Sequence, residues 1–331
     1  ARDAAPSARV WMKSALLERQ RGDAAAQERL LLEGVTRWPA APKLWLMLAQ
    51  LYDTAGLPDR ARDAYTAGLR ACPTATPLWL GAARHEERTA GATRARPLLE
   101  ASRLRNAANP ELWLESVRLE RRAGNDKVAD ALLARALAEC PRAGRLLAED
   151  IATAPRAAQK RKAMDSVKLA EADANVVLAV ARLFWSDRKY AKARRWYNRA
   201  VGLDADLGDG WAALYAFELT HGTPATAAAV EARCAAADPH HGELWQRVAK
   251  RIENRRLPAA SLLKAVALEM RRDASAAALF EQEPAALPAG TGDDDDGDAA
   301  PAGGATAGAP AAAAAAAPAA TVAPTTSTAA T

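Results

Sequence analysis

Apolar and polar positions along this chain keep a beat of 34 residues, and within each beat the apolar ones fall at helical spacing. Trp11, Trp45, Trp79 and Trp113 stand 34 apart, as do Trp211 and Trp245. Leu147 follows Trp113 by the same step and Val177 precedes Trp211 by it, so only the 30-residue step from 147 to 177 is short. Numbering each anchor n, small residues recur at n+4 (Ala15, Ala49, Ala83, Ala181, Ala249) and apolar ones at n+6 (Leu17, Leu51, Leu119, Leu183, Phe217). That stripe is one face of an amphipathic helix. Glycine at n+11 (Gly22, Gly56, Gly124, Gly222, with Gly91 one step late) predicts a left-handed helix end. A second helix follows, with Ala61, Ala95, Ala129, Ala193 and Ala227 at n+16 and Leu31, Tyr65, Leu99, Leu133 and Tyr197 at n+20. Leu69, Leu137 and Val201 extend its face at n+24, and proline at n+28 (Pro39, Pro73, Pro141, Pro239), which lacks a backbone donor, closes the unit.

Neither helix of such a unit can bury its stripe alone, so neighbouring units must stack. The expected fold is all-α: a right-handed α-solenoid of HAT/TPR-like antiparallel helix pairs, about eight 34-residue repeats over 1–282. The six tryptophans are its structural anchors, filling the gaps between units. Around 152–166 the second-helix pattern is lost and Leu147 replaces tryptophan, which predicts an irregular or shortened unit and a kink there. A last helix from Pro258 to about Arg272 is expected to cap the array.

Composition separates a tail from this domain. All 45 Lys and Arg residues lie at or before Arg272, whereas 283–331 is rich in Ala, Pro, Gly and Thr. From Pro284 onward, five aspartates (Asp293, Asp294, Asp295, Asp296, Asp298) and no basic residue give −5, so the net +5 divides into +10 before Pro284 and −5 after it. With so little apolar bulk the tail is expected to be disordered. The aspartate run is expected to act as a solubilising spacer or, on a weaker signal, a docking site for a basic partner. Three cysteines make no disulfide framework and suggest a reducing interior. No apolar run is long enough to span a bilayer, no signal-peptide pattern opens the chain, and the start at Ala1 reads as a cut in something longer.

Candidate chemistry is sparse. Cys72 and Cys140 share position n+27, which points to packing. Cys234 with His240 and His241 offers three ligands at best and no CxxC pair, so no metal is expected. His221 suits a helix C-terminus. The glutamates at n+7 (Glu18, Glu86, Glu120, Glu218) are expected to make structural ion pairs between helices. No nucleophile motif, phosphate-binding loop or dinucleotide fingerprint occurs, so neither an enzyme, a cofactor nor a small-molecule substrate is expected. Basic residues cluster at Arg156, Lys160, Arg161 and Lys162, then at Arg188, Lys189, Lys192, Arg194 and Arg195. They fit partner or RNA phosphate contacts, a nuclear-import signal, or a solvated face; the nearby Trp185, Trp196 and Tyr197 fit the core stripe rather than a stacking platform.

Beyond the repeat, particular strings carry a resemblance. RDAAPSARVWMKS (2–14), TRARPLLEASRL (93–104), ELWLESVRLERRAG (111–124), VLAVARLFWSDRKYAKARRWYNRAV (177–201), DLGDGWAALYAFELTHGT (206–223) and HGELWQRVAK (241–250) resemble, in one colinear order, the C-terminal repeats of the pre-mRNA-processing factor 6 family. The resemblance implies a nuclear splicing scaffold that bridges the U5 and U4/U6 particles in the tri-snRNP, with proteins of those particles as partners and RNA contact weak or indirect. Arg188, Lys189 and His240 are candidate exposed contacts near turns. Direct RNA binding through 156–195 and a generic tetratricopeptide adaptor are the other readings; neither involves a membrane.

Overall fold

A computed structural model of the chain describes residues 7–272. Expectations for the tail at 283–331, and for the boundary that sets it off, fall outside those residues. The described residues contain sixteen α-helices in eight consecutive pairs. The first four pairs are α1 (Ala8–Arg21) with α2 (Ala24–Arg37), α3 (Pro42–Thr54) with α4 (Pro58–Ala71), α5 (Thr76–Ala90) with α6 (Ala92–Arg105), and α7 (Pro110–Arg122) with α8 (Asp126–Glu139). The next two are α9 (Gly144–Thr153) with α10 (Arg156–Leu169) and α11 (Ala174–Ser186) with α12 (Tyr190–Leu203). The last two are α13 (Gly208–His221) with α14 (Pro224–Ala237) and α15 (Glu243–Ala249) with α16 (Ala259–Arg272). The fold is an all-α solenoid of tetratricopeptide-like helix pairs.

The stripes become the core. Ala15, Ala49, Ala61, Ala95, Ala129, Ala181 and Ala193 are fully buried, so helices approach closely wherever the repeat supplies a methyl group. Trp11, Trp79, Trp113, Trp211 and Trp245 are buried among them; Trp45 is only half-buried. In four anchors the indole also ties down the preceding loop: Trp45, Trp79, Trp113 and Trp211 donate Nε1–H to the carbonyls of Pro39, Pro73, Ala107 and Ala205, each at 2.8 Å. The ring thus fills the gap between units and satisfies a loop carbonyl that the end of a helix leaves open. Leu17 departs from its stripe and is exposed, because no helix precedes α1 among the described residues for it to face.

Gly22, at φ 79°, ends α1 in the left-handed conformation, its N–H returning to Arg19 O. Gly222 corrects the sequence expectation. Its backbone is extended (φ −104°), and the position needs glycine for space: an added Cβ would lie 2.2 Å from Glu218 Oε2 and 2.4 Å from Thr226 Oγ1. The cramped turn serves a capping box in which Thr223 and Thr226 satisfy each other's backbone N–H at the start of α14.

Residues 152–166 are not irregular. They comprise the end of α9, a two-residue turn at Ala154 and Pro155, and most of α10, a regular helix of 14 residues. The unit is short because α9 has 10 residues and α10 starts at Arg156, nine after the anchor, whereas α8 starts thirteen after Trp113. Moved back by four, the buried stripe reappears as Ala163 and Ser166, with Val167 and Ala170 half-buried. At the other end α16 packs on α13, α14 and α15 and buries Leu262, Leu263, Val266, Ala267 and Met270, closing the core as expected of a cap.

Candidate docking surface

Each first helix touches its counterpart in the next unit, from α1 on α3 through α13 on α15. Consecutive second helices from α2 to α12 make no comparable contact. The array therefore bends toward its first helices, whose outward residues line an inner face.

Two sets of ion pairs recur with the repeat. One joins a second helix to the next first helix at three junctions: Arg62–Glu86 at 2.5 Å, Arg96–Glu120 at 2.6 Å and Arg194–Glu218 at 2.6 Å. In unit 1 the same position holds Glu28, which accepts from Tyr52 Oη at 2.9 Å. The glutamates are nearly buried, so each carboxylate needs its guanidinium. These pairs are the structural role expected of Glu86, Glu120 and Glu218; Glu18 instead pairs with Arg21 within α1, at 3.3 Å. Arg96 and Asn125 hold the Glu120 carboxyl below its ordinary range, outweighing the upward push of burial.

The second set lies on the inner face. Arg84 reaches Glu115 at 2.5 Å and Arg118 reaches Glu149 at 3.0 Å, one unit on; Arg88 reaches Asp53 at 3.0 Å and Arg122 reaches Glu87 at 2.7 Å, one unit back. Burial pushes the Glu115 carboxyl up, but Arg84 and Arg122 together outweigh it and hold the group below the usual carboxylate range. His85, fully buried at an apolar stripe position, sets Nδ1 2.6 Å from Asp53 Oδ1.

The α13–α15 junction is built differently. Asp209, in the first turn of α13, accepts from the backbone N–H groups of Glu243, Leu244 and Trp245 at 2.7, 3.2 and 2.7 Å, capping α15 from the preceding unit. Gly208 donates to His241 O and His241 to Asp206 O, a short parallel bridge. Burial raises the Asp209 carboxyl even against those three donors. So pinned, Glu243 projects across the inner face: Arg118 Nη1 meets its two carboxylate oxygens at 3.1 and 3.0 Å, and Arg145 also pairs with it.

The predicted basic cluster is divided. Arg156 and Lys160 both pair with Asp187, at 2.9 and 3.2 Å, and Lys162 pairs with Asp150 at 2.6 Å. Lys160 stands, allowing for the four-residue shift, where Arg62, Arg96 and Arg194 stand in other units. Arg161, Arg188, Lys189 and Lys192 are exposed, without an acidic partner among the described residues; Arg188 turns the chain at φ 61°. Trp185 and Tyr197 are buried and Trp196 is half-buried under Arg199. Cys72 and Cys140 border the core, their thiols pushed up by burial, and Cys72 Sγ lies 3.4 Å from Pro39 O. His240 and His241 are exposed beside Asp206. His221 stacks on Tyr190 at 4.0 Å between ring centroids, and burial lowers its pKa. Among the described residues no group of three or more His, Cys, Asp or Glu is placed to hold a metal, and no helix is long and apolar enough to cross a membrane.

The pattern of anchors does not point to the arginines of either set, although Arg84, Arg118 and Arg182 recur at n+5 of the first helix and Arg62, Arg96 and Arg194 at n+17 of the second. Extending the alignment to charged positions finds them. Nothing in the spacing marks Glu243, whose partners lie 98 and 125 residues away.

Comparison with known proteins agrees with this frame. A tetratricopeptide repeat family model matches residues 42–85. Human pre-mRNA-processing factor 6 is 48% identical over 112 residues, 34% of this chain and 12% of that protein. Protein STABILIZED1 of Arabidopsis thaliana is 43% identical over 124 residues, 38% of this chain and 12% of that protein. Pre-mRNA-splicing factor prp1 of Schizosaccharomyces pombe is 37% identical over 141 residues, 43% and 16% respectively. The aligned segments thus span about an eighth to a sixth of these relatives' length. With its eight helix pairs among the described residues and these identities, the chain is similar to pre-mRNA-processing factor 6 and its relatives over about a third to two fifths of its length, within an array of tetratricopeptide-like repeats.

Proposed function

We propose that this chain is a non-catalytic, protein-binding scaffold of pre-mRNA splicing that works in the nucleus and holds proteins of the U5 and U4/U6 particles in fixed relation. The observation that carries the reading is the 37–48% identity to relatives named as pre-mRNA-processing and pre-mRNA-splicing factors. The surface supports it: on the inner face Arg84, Arg88, Arg118 and Arg122 are each paired with a carboxylate, leaving a face that reads shape and local charge rather than a uniform phosphate field. The four exposed cations Arg161, Arg188, Lys189 and Lys192, without an acidic partner among the described residues, favour a second reading, RNA contact at units 5 and 6.

Affinity capture from nuclear extract with the 331-residue chain, across rising salt and with ribonuclease, separates the two. Retention of U5 and U4/U6 proteins after ribonuclease supports the scaffold. Their loss on ribonuclease, with steep salt dependence and sensitivity to glutamine at those four cations, replaces it with RNA binding. Recovery of chaperones alone overturns both in favour of a generic adaptor.

A further inference from the structure

In a solenoid each unit touches its neighbours, and the ion pairs described above nearly all join adjacent units. Glu243 breaks that rule. Its carboxylate crosses the inner face from unit 8 to Arg118 in unit 4 and Arg145 in unit 5, links of 125 and 98 residues. Gln20, at the end of α1, likewise meets the Arg255 guanidinium in the amide orientation that satisfies both. Neither arginine requires Glu243 for neutrality, since Arg118 already has Glu149 at 3.0 Å and Arg145 has Glu111 at 3.4 Å. Glu243 is a supernumerary carboxylate seated on a two-arginine fork. Its backbone is held by Asp209, so the side chain can turn away without the unit moving. All three side chains are between a third and a half exposed, so solvent and solutes reach the pair.

We propose that Arg118 and Arg145 form a docking point for a carboxylate side chain of an acidic segment in a partner protein, with Glu243 as its occupant in the unbound chain. The proposal rests on the reading that the inner face takes protein partners, and adds where and by what chemistry. Exchange of one carboxylate for another leaves the charge count at the fork unchanged. An internal occupant that fills the fork about nine-tenths of the time lowers the apparent affinity for an external carboxylate about tenfold.

The test is fluorescence anisotropy of a dye-labelled hexaglutamate peptide titrated with the full chain, which needs no splicing partner and so fails independently of the capture experiment. Glu243→Ala, with Glu243→Gln as the conservative variant and unaltered melting as the check on folding, is expected to bind the peptide about tenfold more tightly than wild type. Adding Arg118→Gln and Arg145→Gln is expected to abolish the gain. Equal affinity in wild type and both Glu243 variants overturns the proposal. A gain that survives loss of both arginines also overturns it, and tighter binding of a hexauridylate than of hexaglutamate by Glu243→Ala reassigns the fork to phosphate.

Discussion

At Trp113 the ring is 4% exposed and its indole N–H donates to Ala107 O at 2.8 Å. Two substitutions separate the contributions. Trp113→Ala is expected to cost about 3–5 kcal/mol, the large-to-small core figure; Trp113→Phe keeps a ring in the gap and forfeits the hydrogen bond, about 1 kcal/mol. Urea unfolding measures both, and equal losses would show that the indole bond, not the ring, holds the unit. The inner ion pairs set a pH dependence. Glu115, Glu120 and Glu243 are held below the ordinary carboxyl range in the folded chain. Their stabilisation is in full force above the unfolded pKa and is lost as pH falls through the depressed folded values. Melting temperature is therefore expected to drop between about pH 5 and about pH 2, and Glu115→Gln to drop less steeply over that window. A parallel decline in wild type and variant would rule out Glu115 as a contributor. Buried residues were legible at this scale because their type and spacing are local; the pairing of Arg84 with Glu115 was not, since it needs the lateral offset between stacked units.

Between residue and array, α10 and α15 show what spacing conveys and what it conceals. The stripe of α10 is built from Ala163 and Ser166, residues that carry no hydrophobic signal, and it is displaced by four positions, so a pattern keyed to Leu and Tyr loses it. The helix forms because packing between α9 and α11, not side-chain bulk, decides its place. In α15 the reverse holds: Trp245 announces the helix, but its seven residues are too few to persist without help. That help is Asp209 and the space at Gly208, where an added Cβ would lie 2.1 Å from the Trp245 ring. Asp209→Ala is expected to cost about 0.5–2 kcal/mol as a lost cap, and Gly208→Ala to push α15 off its seat. Amide hydrogen exchange over 243–249 is the measurement: both variants should lose protection there while α1 to α8 keep theirs. Unchanged protection would mean that Trp245 alone holds the helix.

The whole array is a sum of near-identical junctions, which is why its fold was open to a reading of one chain while its working surface was not. Repetition makes every core position appear several times; an inner face is shaped by the curl that the units accumulate, and curl leaves no mark in spacing. The 30-residue unit adds a further consequence. Four residues are about one turn of α-helix, and their removal leaves the following chain rotated by only about 40°. Unit 5 therefore loses length without losing register, and Ala163 still finds the core. A loss of two residues would turn the next stripe about 160° away, toward water. The solenoid thus has a reading frame of its own, counted in helical turns: whole-turn insertions and deletions are silent edits, and half-turn ones are frameshifts.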